Sequence, residues 1–178
     1  MTSPAQFSMK VEDLMADEFV MSRVFDAPRT LLWQCFTDPE RMKQWWGPKG
    51  FKVLASKMDL RPGGTYLYGM QTPNGQSMWG KFVYREIVPQ ERMVFVNHFS
   101  DENGGVTRHP GNEKWPLRLL STFTFEDAPG GKTKFTVTWK PYEADEEERK
   151  TFDSNRESMR AGWTGTLEQL DSYLAKAK

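Results

Sequence analysis

The side chains that could perform acid–base or nucleophilic chemistry are few and scattered. The 178-residue sequence contains two histidines and one cysteine. His98 lies in a predicted strand beside Asn97, and only one of these neighbours can face inward. For His98, a proton shuttle at a pocket and a structural role both stay open. His109 lies in a long predicted loop, where we expect it to be exposed. Cys35 has no adjacent base, which favours an inert buried thiol.

The remaining motifs point away from an assembled active site. Two histidines and one cysteine do not make a transition-metal site. The acidic run at 146–148 is predicted to be a solvated helix start, because a calcium loop needs spaced ligands and a turn glycine. The sequence has no phosphate-binding loop, dinucleotide fingerprint or nucleophile elbow. We therefore expect no metal and no cofactor, and a non-enzymatic role is favoured over catalysis.

Aromatic and methionine side chains alternate along several predicted strands in a pattern that suits an apolar pocket. The same residues also suit an ordinary core, and a register slip of one residue would turn them to the other face. The candidate ligand-binding residues come from the strands, the C-terminal helix and the rim. They are Trp46, Tyr66, Tyr68, Met70, Met78, Phe82, Asn97, Phe99, Trp115, Met159, Trp163 and Leu167.

Hydrophobic periodicity predicts the elements that must position these residues. A strand at 19–25 precedes two short helices at 30–37 and 40–46, the second capped by Asp38. Six strands with turn residues between them are predicted at 51–60, 65–71, 76–88, 92–99, 117–126 and 132–139. The 100–116 connection is longer than an ordinary hairpin loop, which indicates a lid or disorder. One long helix is predicted from Glu143 onwards, with an apolar stripe from Phe152 to Leu174.

These elements make one domain over 18–178, preceded by a flexible leader at 1–17. A mostly antiparallel sheet must bury one face, and the long helix is the only element large enough to cover it. Gly162 and Gly165 interrupt that helix, either for tight packing against the sheet or to let a ligand approach. We therefore predict an α+β protein whose curved sheet grips a helix.

Composition excludes several classes of protein. The 24 basic and 24 acidic residues balance, which argues against a nucleic-acid or anionic-membrane binder. The 7 Trp, 5 Tyr and 12 Phe supply a sizeable core. A single cysteine excludes an internal disulfide framework. No apolar run is long enough to span a bilayer, and no secretory signal is visible, so we expect a cytoplasmic protein without membrane insertion.

Five motifs occur in the order of a known superfamily: VFDAP at 24–28, TDPE at 37–40, WWGP at 45–48, DLRPGG at 59–64 and MRAGW at 159–163. Together they resemble the SRPBCC (START-like) superfamily, in its branch related to the activator of the heat-shock-protein-90 ATPase. The resemblance implies a helix-grip fold. In that fold a seven-stranded, mostly antiparallel sheet wraps around the C-terminal helix, two short helices follow strand 1, and a cavity separates sheet from helix.

The superfamily includes lipid carriers, cyclases, hormone sensors and co-chaperone modules, so the resemblance does not select a function. Our first hypothesis is a binding protein that holds a small apolar or amphipathic molecule against Met159, Trp163 and Leu167 under a 100–116 lid. One alternative is a cyclase- or hydrolase-type enzyme that uses His98 or Tyr66 in the same pocket. Another is a chaperone-related interaction module with an exposed apolar patch. Exposed strand edges leave both a monomer and a homodimer open.

Overall fold

A computed structural model describes residues 18–177, so the leader predicted at 1–17 lies outside the described residues, as does Lys178. Within these described residues, four helices and eight strands follow one another. In order they are β1 (Phe19–Phe25), α1 (Arg29–Thr37), α2 (Pro39–Trp45), β2 (Lys52–Met58), β3 (Thr65–Gln71), β4 (Ser77–Val88), β5 (Arg92–Ser100), β6 (Val106–Thr107), β7 (Leu119–Ala128), β8 (Lys132–Pro141), α3 (Glu146–Ser154) and α4 (Arg156–Ala177).

The predicted helix-grip fold is confirmed. Seven strands form one sheet in the order β1-β8-β7-β5-β4-β3-β2, and every neighbouring pair is antiparallel. The two-residue strand β6 pairs with the end of β5 and was not predicted. It lies inside the predicted 100–116 connection, where two residues are too few to produce a detectable alternation.

The two short helices are set by capping. The Asp38 side chain accepts a hydrogen bond from the backbone N–H of Glu40 at 2.9 Å, and Pro39 occupies the first turn of α2. Helix α2 ends at Trp45, and Trp46 already has extended backbone angles. This change of direction sends the Trp46 ring towards the sheet, while Trp45 stays in the core beneath α1.

The prediction of one long C-terminal helix from Glu143 is wrong in two respects: the helix begins at Glu146, and it is interrupted at Asn155. Helix α3 ends at Ser154, and α4 begins after Asn155. The Asn155 side chain donates to the backbone carbonyl of Thr151 at 2.7 Å, a local bond that competes with helix continuation. Phe152 therefore belongs to α3, and the seven-residue step from Phe152 to Met159 crosses the break.

Helix α4 lies in the concave face of the sheet. Its C-terminal half is packed tightly, with Leu167 and Leu170 fully buried. Beneath it, Phe36 of α1 packs against Phe123 and Phe135 at 5.3 and 4.9 Å between ring centroids. The N-terminal half of α4 is not filled in this way, and this is where a cavity forms. None of the described helices combines the length and the hydropathy needed to cross a bilayer.

Candidate functional site

A cavity of about 620 Å³ lies between the N-terminal half of α4 and strands β3, β4, β5, β7 and β8. This volume falls within the range of small-molecule sites, roughly 300–1,000 Å³. Ten of the twelve predicted ligand-binding residues border the cavity. They are Trp46, Tyr68, Met70, Met78, Phe82, Asn97, Phe99, Trp115, Met159 and Trp163. Whether they bind a ligand stays a prediction.

Tyr66 and Leu167 do not border the cavity, and this corrects their assignment as ligand contacts. Both are fully buried. The Tyr66 ring stacks on Tyr68 at 5.5 Å, and its hydroxyl lies 2.8 Å from Ser56 Oγ. Tyr66 shares a strand face with Tyr68 and Met70 but lies deeper, because the curved sheet brings that part of β3 against the filled end of the core. Tyr66 therefore packs behind Tyr68 and does not itself line the cavity.

The inner wall is formed by the Trp46 ring and the three aromatic rings that it contacts. The Trp46 ring makes edge-to-face contacts with Tyr68, Phe82 and Trp163 at 5.7, 5.7 and 5.8 Å between centroids. Such contacts stabilise the arrangement beyond simple area burial. Burial raises the pKa of the Tyr68 hydroxyl to about 12, with the Trp46 indole N–H acting in the opposite direction. Tyr68 therefore stays protonated at neutral pH and cannot serve as a base.

Gly80 makes room for the Tyr68 side chain. A Cβ atom at position 80 would overlap the Tyr68 hydroxyl and ring. The close approach of side chain to backbone therefore requires glycine at this position of β4, which is a packing reason rather than a turn.

The register of β5 decides which of Asn97 and His98 faces the cavity. Asn97 pairs with Phe82, an inward-facing residue of β4, and accepts a hydrogen bond from Ser121 Oγ. His98 pairs with Lys81 and shares its face. The His98 Nδ1–H donates to the Phe99 carbonyl at 2.7 Å, and burial lowers the pKa of the ring. His98 borders the cavity from the strand face opposite to Asn97, and its Nδ1–H is used by the Phe99 carbonyl.

The prediction that His109 is exposed is wrong. Its ring is half-buried and packs against Phe99 and Trp115 at 4.8 and 6.2 Å between centroids. Trp115 in turn contacts Phe152 of α3 at 5.6 Å. These contacts lay the 101–118 loop, the chain between β5 and β7, over the open end of the cavity. Sequence reasoning missed His109, although its place in a loop predicted to be a lid was a usable signal.

Glu148 anchors the 101–118 loop to α3. Its Oε2 accepts from the Leu117 backbone N–H and from Arg108 Nη1, both at 2.8 Å, and its Oε1 accepts from the Asp145 backbone N–H at 3.2 Å. Burial would raise the pKa of this carboxyl, but the three donors hold it below its usual range. The acidic run was predicted to be solvated throughout, and for buried Glu148 this is wrong.

The surroundings of Gly162 and Gly165 bear on the two roles that the sequence left open for these glycines, tight packing or approach of a ligand. Nothing lies within 4 Å of a Cβ built at this position, and the residue borders the cavity. Gly165 is different, because its Cβ would contact Pro48 at ordinary van der Waals distance, 3.9 Å. Gly162 thus leaves space on the helix side of the cavity, while position 165 has room for a methyl group in ordinary contact with Pro48. Trp139 of β8 also borders the cavity and was missed, because strand alternation alone does not identify the inner face.

The cavity wall is apolar with a few neutral polar groups. Among the described residues that border it there is no Lys, Arg, Asp or Glu. Within residues 18–177, no three His, Cys, Asp or Glu side chains are grouped as a metal site would need.

Comparison with proteins of solved structure agrees with the fold described above. Proteins of solved structure with the same fold include one from Mycobacterium smegmatis, with 25% identity, a TM-score of 0.72, and coverage of 91% of this chain and 93% of that one. A protein from Arthrobacter aurescens has 24% identity, a TM-score of 0.74, and coverage of 92% and 89%. One from Nitrosomonas europaea has 22% identity, a TM-score of 0.71, and coverage of 91% and 96%.

The comparison with curated proteins found no match. The family model described as "Activator of Hsp90 ATPase homolog 1-like protein" matches residues 26–175, which is most of the chain. The motifs in the sequence, the sheet order and this match agree, and the chain belongs to the family of activator of Hsp90 ATPase homolog 1-like proteins.

Proposed function

We propose that this protein binds a small apolar or amphipathic molecule in the cavity between the sheet and α4. The observation that carries the proposal is the cavity itself: about 620 Å³, walled by aromatic and methionine side chains, in a domain whose other end is tightly packed. Methionine and aromatic side chains adapt to varied apolar shapes. Binding requires only such an apolar wall, whereas catalysis would also need a titratable group aimed at a substrate.

The size of the cavity supports this proposal. An enclosed, dry cavity costs about 24 cal/mol per Å³, so 620 Å³ would cost about 15 kcal/mol. A whole domain is stable by only about 5–15 kcal/mol. A sealed and empty cavity of this size would thus cost about as much as the whole fold gains; because this cavity is open at one end, water or a ligand can fill it. An apolar wall holds water poorly, because each water molecule needs two to four polar partners.

The 101–118 loop would act as the lid of this site. Its His109 and Trp115 rings cover the mouth, and Glu148 fixes the base of the loop to α3. These contacts are few compared with the strand pairing on either side, so opening the loop need not disturb the sheet. Local opening of weakly packed segments is the usual route into an enclosed site.

The interaction-module alternative finds less support. The large apolar side chains that are exposed among the described residues are Val20, Val24, Leu54 and Val106. They lie on β1, β2 and β6, and β1 and β2 are opposite edges of the sheet. Scattered apolar residues of this kind are normal on a surface and do not form a docking patch.

The direct test is to purify the protein gently and to compare its native and denatured masses. We expect a mass difference that corresponds to a released small molecule, identified after extraction. In addition, apolar compounds from a panel of lipids, polyketides and aromatics should raise the Tm. Empty protein combined with no thermal shift across the panel would contradict the proposal.

A pair of tryptophan variants gives the matched control. Trp163→Ala removes a cavity wall residue and should lower ligand occupancy, whereas Trp79→Ala removes a tryptophan that packs on Gly69 outside the cavity. Circular dichroism must show both variants folded, because loss of a buried Trp costs about 3–5 kcal/mol. If Trp163→Ala does not fold, Gly162→Leu tests the same space by filling it. Equal occupancy in wild type, the cavity variant and Trp79→Ala would count against the cavity as the site.

A further inference from the structure

The cavity offers no counter-ion to a charged ligand. No Lys, Arg, Asp or Glu side chain borders it among the residues that the structure describes. Arg108, a cation of the 101–118 loop, is already paired with Glu148 at 2.8 Å and with the Trp115 carbonyl at 3.4 Å. A buried charge without a partner is strongly unfavourable. An ionised carboxylate, phosphate or ammonium group on the ligand would thus have to stay outside the cavity.

The loop end of the cavity carries hydrogen-bond donors without acceptors. A backbone N–H can only donate, so the 2.9 Å contact from the Gly111 N–H makes His109 Nδ1 an acceptor. The neutral His109 ring therefore carries its proton on Nε2, as a donor. Asn97 uses its Oδ1 to accept from Ser121, which leaves the Nδ2 amide as a donor. No described residue accepts from His109 Nε2 or from Asn97 Nδ2.

These two donors lie at the same end of the site. Asn97 and Phe99 are successive inward residues of β5, and the His109 ring packs on Phe99. The wall on the side of α4 and β8 holds Met159 and Trp163, and the buried indole N–H groups of Trp139 and Trp163 also have no acceptor among the described residues. The cavity therefore presents neutral donors without acceptors, two of them beside Phe99, among apolar surfaces.

We propose that the ligand is uncharged and carries a hydrogen-bond acceptor oxygen, such as a carbonyl, that meets the donors of His109 and Asn97, with its apolar body against α4. This rests on the proposed function and narrows its ligand class. An anionic head group could accept from the same donors, but its charge would have no counter-ion in the wall, and an ammonium group would have neither a counter-ion nor an acceptor.

Three naphthalenes of nearly the same shape separate the possibilities: 2-acetylnaphthalene, with a neutral acceptor; 2-ethylnaphthalene, with none; and 2-naphthoate, an anion. Binding to the full chain at pH 7.5 is followed by tryptophan fluorescence and by calorimetry. We expect 2-naphthoate to bind at least tenfold more weakly than 2-acetylnaphthalene.

Two variants assign the donors. His109→Phe keeps the ring that packs on Phe99 but removes the donor, and Asn97→Leu removes the amide at similar size. Each should weaken 2-acetylnaphthalene about two- to tenfold, the range of one neutral hydrogen bond, and leave 2-ethylnaphthalene within twofold of wild type. The ethyl compound thereby controls for changes in packing.

The outcomes separate this inference from the proposal on which it rests. If none of the three compounds binds, the binding function itself fails. If all three bind but 2-naphthoate binds as tightly as the ketone, or if His109→Phe and Asn97→Leu weaken all compounds equally, the neutral-acceptor inference is overturned while the binding function stands.

Discussion

Filling the cavity from the helix side should stabilise the protein and exclude its ligand. Gly162 borders the cavity, and a Cβ at this position meets nothing within 4 Å. Gly162→Leu would therefore place its Cβ in open space and add apolar volume at the border of the cavity. Gly165→Ala is the matched control, because it lies on the same helix, contacts only Pro48 at 3.9 Å and does not border the cavity.

Two contributions determine the expected change in the stability of these variants. Replacing a glycine by alanine inside a helix gains about 1 kcal/mol, so Gly162→Ala and Gly165→Ala should each raise the Tm by about 2–4 °C. A leucine at 162 also buries its side chain, which adds about 1.5–3 kcal/mol. Gly162→Leu should thus be the most stable of the three variants. It should also be the only one with clearly reduced ligand affinity, since alanine occupies little of the cavity.

The assay combines thermal unfolding with titration of 2-acetylnaphthalene on wild type and the three variants. Destabilisation by Gly162→Ala alongside stabilisation by Gly165→Ala would refute the open space beside Gly162. Unchanged affinity in a stable Gly162→Leu protein would refute the cavity as the binding site. A general effect of helix stability on binding would appear equally in Gly165→Ala.

Three further predictions concern residues around the cavity. Glu148→Gln should lower the free energy of unfolding at pH 7 by about 1–3 kcal/mol. The depressed pKa of Glu148 contributes stability above its unfolded pKa of about 4.3, and this stability is lost as the pH falls through the folded value. In urea titrations below about pH 5, the free energy of unfolding should therefore decline less steeply with falling pH in the variant than in wild type. Parallel pH dependence in the two proteins would exclude this role. Gly80→Ala should destabilise by about 1–3 kcal/mol in urea melts because its Cβ overlaps Tyr68, and wild-type stability would show that Tyr68 has room to move. Burial raises the pKa of Cys35 to about 11, so iodoacetamide at pH 8 should label it only on unfolding, and rapid labelling of native protein would contradict its burial.

Apart from β6 and the break between α3 and α4, the order and type of the elements could be derived from the sequence alone. Turn residues and period-2 alternation located the seven strands of the continuous sheet path, and Asp38 and Pro39 located the start of α2. These signals are local, because a cap or a turn involves residues within about four positions of each other. For the same reason ten of the twelve candidate residues proved to border the cavity: alternation along β3, β4 and β5 puts large apolar side chains on one face.

The features that the sequence left open depend on contacts between residues far apart in the chain. Pairing of β5 with β4 placed Asn97 on the strand face of Phe82 and His98 on the other face, a choice that alternation within one strand leaves undecided. Burial of His109 depends on Phe99 and Trp115, and the role of Glu148 depends on Leu117, 31 positions earlier. Tyr66 has the spacing of a wall residue but lies too deep.

The difference between what the sequence predicted and what it left open has one physical origin, the range over which the interactions act. Backbone preferences and side-chain periodicity act over a few residues, so the sequence determined the strands, the helices and the family of this protein. Register, depth and the space left beside Gly162 result from how the sheet curves around α4 and where packing is incomplete. Only the tertiary structure therefore decided which side chains enclose the cavity and that its wall is neutral.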